Sequence, residues 1–336
     1  MSVDVRGRWA RWVALTSERE PAAALAVFRV AIAGVVLYTV GTVVAAGLVP
    51  TLWMDFADGG YRDNDGAGSW LISALGGPSP TVVWGVVGAA LFGGACLAVG
   101  LGTRAAAGVC LVSMLALADV NPHVHAGYDG LLTNALWLLV LADAGATLSV
   151  DAWRATGSWA PPRTTLKVSR WLVVGQLVLM YTSSAVHKVS VHWVPGGELD
   201  ALYYVILQPD WARFADTTAV ARVYPLTQAA TAAVWWFELL APALFWFMAW
   251  RRRGSVAGRR LVGAWATFGI TMHLSIWALM EVGPFSWVSI AHYVALFGGA
   301  ARAGQDAATR GAGRLRWGET PGVGRDEVTP GSCRAG

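Results

Sequence analysis

Eight apolar stretches, each close to the length that crosses a bilayer, recur along the chain with short polar segments between them. They fall at about residues 22–47, 81–101, 105–119, 130–148, 168–187, 226–249, 261–280 and 285–301. A membrane-spanning helix needs ~20 such residues. In hydrocarbon the backbone N–H and C=O groups must be satisfied within the spanning segment, so runs of this kind become helices. The expected fold is all-α, a polytopic transmembrane helical bundle of about eight helices. Charge supports this reading: only 14% of the 336 residues are charged and 55% are apolar. A soluble domain would carry roughly a quarter charged residues to cover its surface. The second and third runs are separated only by Gly100-Leu101-Gly102-Thr103-Arg104, which predicts a tight helical hairpin.

The basic residues give an orientation. Arg6, Arg8, Arg11 and Arg19, then Arg104, then Arg154, Arg163, Lys167 and Arg170, then Arg251–Arg253, Arg259 and Arg260, then Arg302 onward fall in alternate segments. The intervening segments hold few: Arg62, Lys188, Arg213 and Arg222. Positive charge favours the cytoplasm, so both termini are expected inside, in a multi-pass protein of the cell (plasma) membrane. The expected organisation is a cytoplasmic segment over 1–20, a transmembrane domain over 21–302 and a disordered cytoplasmic tail over 303–336, which lacks apolar periodicity. The long outward segment 48–80 predicts a short interfacial helix near Trp70. The arginines sit in short loops between apolar runs, which argues against nucleic acid as a partner and for membrane lipid. Cys96, Cys110 and Cys333 have no metal-like spacing, and no His-x-x-x-His or Glu-x-x-His pair shares a helix face, so no metal is expected.

Ionisable groups inside a span are costly unless they pair or line a cavity. Arg29, Glu238 and Asp143 lie within runs one, six and four. An ion pair of Arg29 with Glu238 or Asp143 is expected, fixing helix register. All six histidines, His123, His125, His187, His192, His273 and His292, fall on or near the outward half. By helix rise, His273 sits about 12 Å and His292 about 10 Å below the outer ends of their runs. With Lys188 and Glu281 at the same depth, they predict a shared pocket able to transfer protons. Lys188 stands out because the chain has 23 Arg and only 2 Lys. A helix-end anchor could as well be Arg, whereas only Lys can be brought to neutrality and act as a base.

Three stretches then resemble one family. Gln176 through Tyr181, Ala185 and His187-Lys188, followed by His192-Trp193-Val194, Gly196 and Leu202, is similar to the signature of vitamin K-dependent γ-carboxylase, whose bacterial relatives carry the horizontally transferred transmembrane (HTTM) domain. Asn121-Pro122-His123-Val124-His125 with Gly130-Leu131-Leu132 and Ser149-Val150-Asp151 resembles that family's Asn-His loop, helix and exit. His273 with Phe285-Ser286 resembles its His…Phe-Ser hairpin, and Arg29 in Ala26-Val27-Phe28-Arg29-Val30 suits its first helix. The resemblance covers about residues 20 to 300. It implies a quinol-dependent carboxylase, an epoxidase-like lyase or a monooxygenase using a reduced vitamin K-type naphthoquinone. In the carboxylase a lysine deprotonates the reduced quinone, and oxygen then converts the product to a strong base that attacks a glutamate side chain. Lys188 falls on that lysine. The family's loop histidine falls on His125 if Gly-Leu-Leu is aligned and on His123 if the asparagine is, and His125 is preferred. His187 and His273 complete the implied catalytic set, and His123, Trp193, His292 and Glu281 the cofactor-binding set. The chain stops soon after the last helix, without the carboxylase's large substrate-docking region. That leaves a second implied role: a non-catalytic component that matures or exports a secreted peptide with a partner subunit, or a lipid-binding scaffold. A transporter is disfavoured by the lack of an internal repeat.

Overall fold

A computed structural model describes residues 5–61, 69–121, 123–214, 216–250 and 256–298. The proposed tail from 303 lies outside these residues, as do Arg62, Pro122 and Arg251–Arg253. In chain order the elements are α1 (Val5–Thr16), β1 (Arg19–Pro21), α2 (Ala23–Ala45), α3 (Val49–Trp53), α4 (Trp70–Ala74), α5 (Pro80–Val99), α6 (Thr103–Val120) and α7 (Gly127–Leu141). They continue with α8 (Val150–Thr156), β2 (Thr164–Leu166), α9 (Lys167–His187), α10 (Ala201–Leu207), α11 (Thr218–Arg222), α12 (Tyr224–Leu239), α13 (Ala241–Trp250), α14 (Val256–Leu279) and α15 (Phe285–Tyr293), which ends in a 3-10 turn, Val294–Phe297.

The all-α bundle is therefore what the chain forms, with one small exception. β1 and β2 pair antiparallel, Arg19 opposite Leu166 and Pro21 opposite Thr164. Fifteen α-helices are present among the described residues, more than the eight expected. The excess has two causes. Short helices such as α3, α4 and α10 lie in the polar segments, α4 where the interfacial helix was expected. The sixth run is broken into α12 and α13 with a 43° bend. Pro242 has no N–H to return to the carbonyl of Glu238 four residues earlier, so the helix cannot continue through it.

Four helices, α2, α5, α6 and α14, are long and apolar enough to cross a membrane, or five if the bent pair counts as one span. The other three expected spans are helical but differ in kind: α7 and α15 are shorter, and α9 begins with Lys167 and Arg170. α15 lies inside the bundle, with Ser286, Ser289 and His292 buried. A helix that meets protein on its sides needs less apolar surface than one facing lipid.

α2, α5, α6 and α7 pack as a tight block, each against the next. The predicted hairpin between α5 and α6 is present, and Asp151 closes it. Its carboxylate accepts from the N–H groups of Gly102 and Thr103 and from the Thr103 hydroxyl, each at 2.8 Å. Partial burial works against the charged form, but these hydrogen bonds and Arg154 hold the Asp151 carboxyl below its ordinary value.

Arg29 corrects an expectation. Fully buried, it pairs with neither Glu238 nor Asp143. It donates to the carbonyls of Ala144 at 3.0 Å and Leu148 at 2.6 Å. The segment after Leu141 leaves the helix seven residues earlier than expected and coils around this guanidinium. Gly100, at φ +71°, passes so close that a Cβ there would meet Ser149 and the guanidinium itself. Asp143 is exposed. A second latch joins Arg170 to Glu20 of β1 and, at 2.8 Å, to the Ala295 carbonyl, both partners of the ion pair being buried.

Candidate active site: an apolar cavity with a buried ion pair

α9, α10, α12, α14 and the start of α15 surround a cavity of about 480 Å³. This is within the ordinary range for small-molecule sites. Its wall is largely apolar, with Met180, Leu202, Val234, Phe268, Ile276 and Phe285 among the lining residues. Beside the hydroxyls of Thr231, Thr271 and Ser275, two groups of polar side chains enter it.

The first is at the C-terminal end of α9. Lys188 Nζ lies 2.7 Å from each carboxylate oxygen of Glu238 on α12. Lys188 is 18% exposed and Glu238 7%. The ammonium also stands 4.4 Å from the ring centroid of Trp193. Trp235 donates its indole N–H to the Lys188 carbonyl at 3.2 Å, and Ser184, one turn earlier on α9, also lines the cavity. The carboxylate has the partners a buried charge requires. The break before Pro242 places Glu238 on the last turn of α12, where it can reach across to α9.

The second is deeper. Tyr181 Oη lies 2.8 Å from His273 Nε2 and hydrogen-bonds Tyr293 Oη. All three side chains are buried. Phe237 and Trp265 stack with centroids 4.7 Å apart beside Tyr181. Gly269 makes room for this group, since a Cβ there would collide with the Tyr293 hydroxyl. Tyr181, Ser184 and Lys188 follow i, i+3, i+7 spacing, which puts them on one face of α9.

The structure brings Lys188, Trp193 and His273 to this cavity. It places the other residues singled out from the sequence elsewhere. His187 points outward, with Nδ1 2.7 Å from the Ser183 carbonyl on its own helix. His123 is exposed, with its ring edge-on to Tyr61 at 6.3 Å, and His125 is exposed in the same loop. Glu281 is exposed and paired with Arg213 at 2.9 Å. His292 is buried beside Phe28 of α2, with Nδ1 on the Val288 carbonyl. His192 holds the loop between Trp193 and Leu202, 2.7 Å from Asp200 and 3.4 Å from Glu198.

Two cavity residues, Glu238 and Tyr181, and Tyr293 behind them were not singled out for the site. Glu238 was visible as an ionisable group in a span but was matched, with Asp143 as the alternative, to Arg29. Tyr181 stood only within the stretch that resembles the family signature, and Tyr293 had no signal, because a tyrosine in an apolar run reads as core.

Together these features define a polytopic membrane protein with an apolar cavity that carries one buried ion pair. Residues 18–299 match the HTTM domain, and the chain belongs to that family. No match was found among curated proteins or among solved structures.

Proposed function

We propose that this protein is a plasma-membrane enzyme of the carboxylase-like type, which binds a reduced isoprenoid naphthoquinone in the cavity and removes its hydroxyl proton at an outward-facing site. The observation that carries this reading is the Lys188–Glu238 pair in an apolar cavity. The pair as it stands is net neutral. When a quinol O–H meets it, Lys188, having yielded its ammonium proton to the Glu238 carboxylate, takes the quinol proton, and the ammonium so formed stays beside the quinolate oxygen. The O–H bond breaks, the pair gains one proton and the oxygen keeps the electron pair. A preorganised ammonium in an apolar cavity stabilises such a developing anion strongly. The family resemblance supplies the later step with oxygen. The apolar wall suits the ring and isoprenoid chain.

Lys188→Arg tests the reading. It retains charge and reach but removes a group that can lose a proton. Protein at matched membrane levels is expected to lose oxygen-dependent turnover of reduced menaquinone while inserting normally. Full turnover in Lys188→Arg would leave the lysine as an anchor. The scaffold reading, favoured by the mostly apolar wall, would then stand, with a secreted peptide and a partner subunit as the interactors to seek.

A further inference from the structure

The deeper polar group in the cavity has one atom with no partner. Three histidines sit on helices in the described residues. His187 and His292 each turn Nδ1 to the carbonyl four residues back, at 2.7 Å. His273 does not. Its Nε2 is on Tyr181, and its Nδ1 is buried without a hydrogen-bond partner among the described residues. The residue is 1% exposed and lines the cavity. A buried polar atom left unpaired is costly, and a ligand is one way it becomes paired.

Hydrogen-bond bookkeeping along the chain Tyr293–Tyr181–His273 fixes what that atom offers. If Tyr181 accepted from both neighbours, its own proton and His273 Nδ1 would both be left unpaired, so two polarisations through Tyr181 remain to compare. In one, Tyr293 donates to Tyr181 and Tyr181 donates to His273 Nε2, so the ring proton lies on Nδ1. In the other, Nε2–H donates to Tyr181 and Tyr181 donates to Tyr293. That arrangement strands the Tyr293 hydroxyl proton, for which the structure gives no acceptor, and leaves Nδ1 bare as well. The first arrangement leaves one unpaired atom and the second leaves two. The first is therefore favoured, and it makes His273 Nδ1 a donor.

We infer that His273 is a second ligand contact in the cavity, and that its Nδ1–H donates to an acceptor oxygen on the same molecule whose hydroxyl meets the Lys188–Glu238 pair. Tyr181 and Tyr293 are positioning residues that hold the tautomer. Tyr181 and Lys188 lie on one face of α9 about 10.5 Å apart along its axis, seven residues at ~1.5 Å each. Both side chains line the cavity from that wall, so the two contacts stand at different depths, a separation that a ring with an oxygen at each end spans. The ligand class is an aromatic bearing two oxygens on opposite sides, one of them a hydroxyl and the other at least an acceptor. A monohydroxylated lipid or a plain acyl chain leaves the His273 Nδ1–H unpaired and so binds less tightly. This inference rests on the proposed quinol reading and adds what the second oxygen must be.

The test uses naphthols matched in size and binds them to the full chain in lipid nanodiscs, with partition into empty nanodiscs subtracted. 4-Methoxy-2-methyl-1-naphthol carries an acceptor at the far position, and 4-ethyl-2-methyl-1-naphthol does not. The wild-type protein should bind the methoxy compound about three- to tenfold more tightly, the range one hydrogen bond supplies. His273→Phe should erase that preference. Tyr181→Phe frees the tautomer, so a 4-hydroxy compound should gain on the 4-methoxy one, a shift that loss of packing alone does not produce. Equal wild-type affinity for the methoxy and ethyl compounds, with both binding, would overturn the acceptor contact and leave the cavity reading intact. An unchanged pattern in Tyr181→Phe would overturn the tautomer argument. Failure of every naphthol to bind would overturn the quinol reading and this inference together.

Discussion

Replacing Glu238 by Gln strands the Lys188 ammonium in an apolar cavity. At 2.7 Å, two unit charges in an effective dielectric of about 20 attract by about 6 kcal/mol. Most of that attraction offsets the cost of removing both ions from water, so the net worth of the pair is small. Removing one partner is different, because the other keeps its desolvation cost without the attraction. Breaking a buried pair in this way costs about 3–5 kcal/mol. With Lys188 and Glu238 only 18% and 7% exposed, that range applies with little solvent screening. Glu238→Gln and Lys188→Met are each expected to lose about 3–5 kcal/mol. The double variant Lys188→Met/Glu238→Gln should lose less than the two single losses added together. Reversible unfolding of the detergent-solubilised protein by SDS, followed by circular dichroism, gives the four free energies of the cycle. Losses below about 1 kcal/mol in both single variants, with no coupling, would mark a solvated pair. The argument that the cavity holds a buried charge would then be refuted.

Two further outcomes concern Arg29 and Asp151. Arg29→Met removes two charge-assisted hydrogen bonds to Ala144 and Leu148, each worth about 1.5–3 kcal/mol. It should destabilise the protein by about 3–6 kcal/mol and add independently to Glu238→Gln in the same unfolding assay, since the two residues share no partner. Asp151 has a folded-state value held below the ordinary 3.8, so the unfolded chain takes up its proton first as pH falls. Its contribution is complete above that ordinary value and is lost as pH falls through the lower folded one. The thermal-stability gap between wild type and Asp151→Asn should accordingly be constant near neutrality and close at strongly acidic pH.

The helices were legible because each apolar run is an independent statement about the solvent that surrounds it. What the runs do not encode is azimuth. His187 and Lys188 are neighbours in sequence and at one membrane depth, yet a helix turns about 100° between them, and only Lys188 faces the cavity. Depth alone therefore gathered His123, His125, His187 and Glu281 with residues that the fold keeps apart from them. Arg29 was misread for another reason. Its partners are backbone carbonyls, which every residue carries, so no side chain in the sequence could announce them. Lys188 was legible through contrast, as a rare lysine in an arginine-rich chain. Tyr181 and Tyr293 had no such contrast, and their hydroxyls acquire meaning only from the glycine at 269 that lets them meet.

The proline break between α12 and α13 divides that span mechanically. Glu238 rides on the half before the bend and is held by Lys188. α13 carries Ala-Pro-Ala-Leu-Phe-Trp-Phe, free of ionisable groups, and packs against α9. The rung missing from the hydrogen-bond ladder at Pro242 lets the two halves follow different axes. The place of the carboxylate is therefore set by α12 and by Lys188 at the end of α9, and the direction of α13 by its own apolar packing against α9.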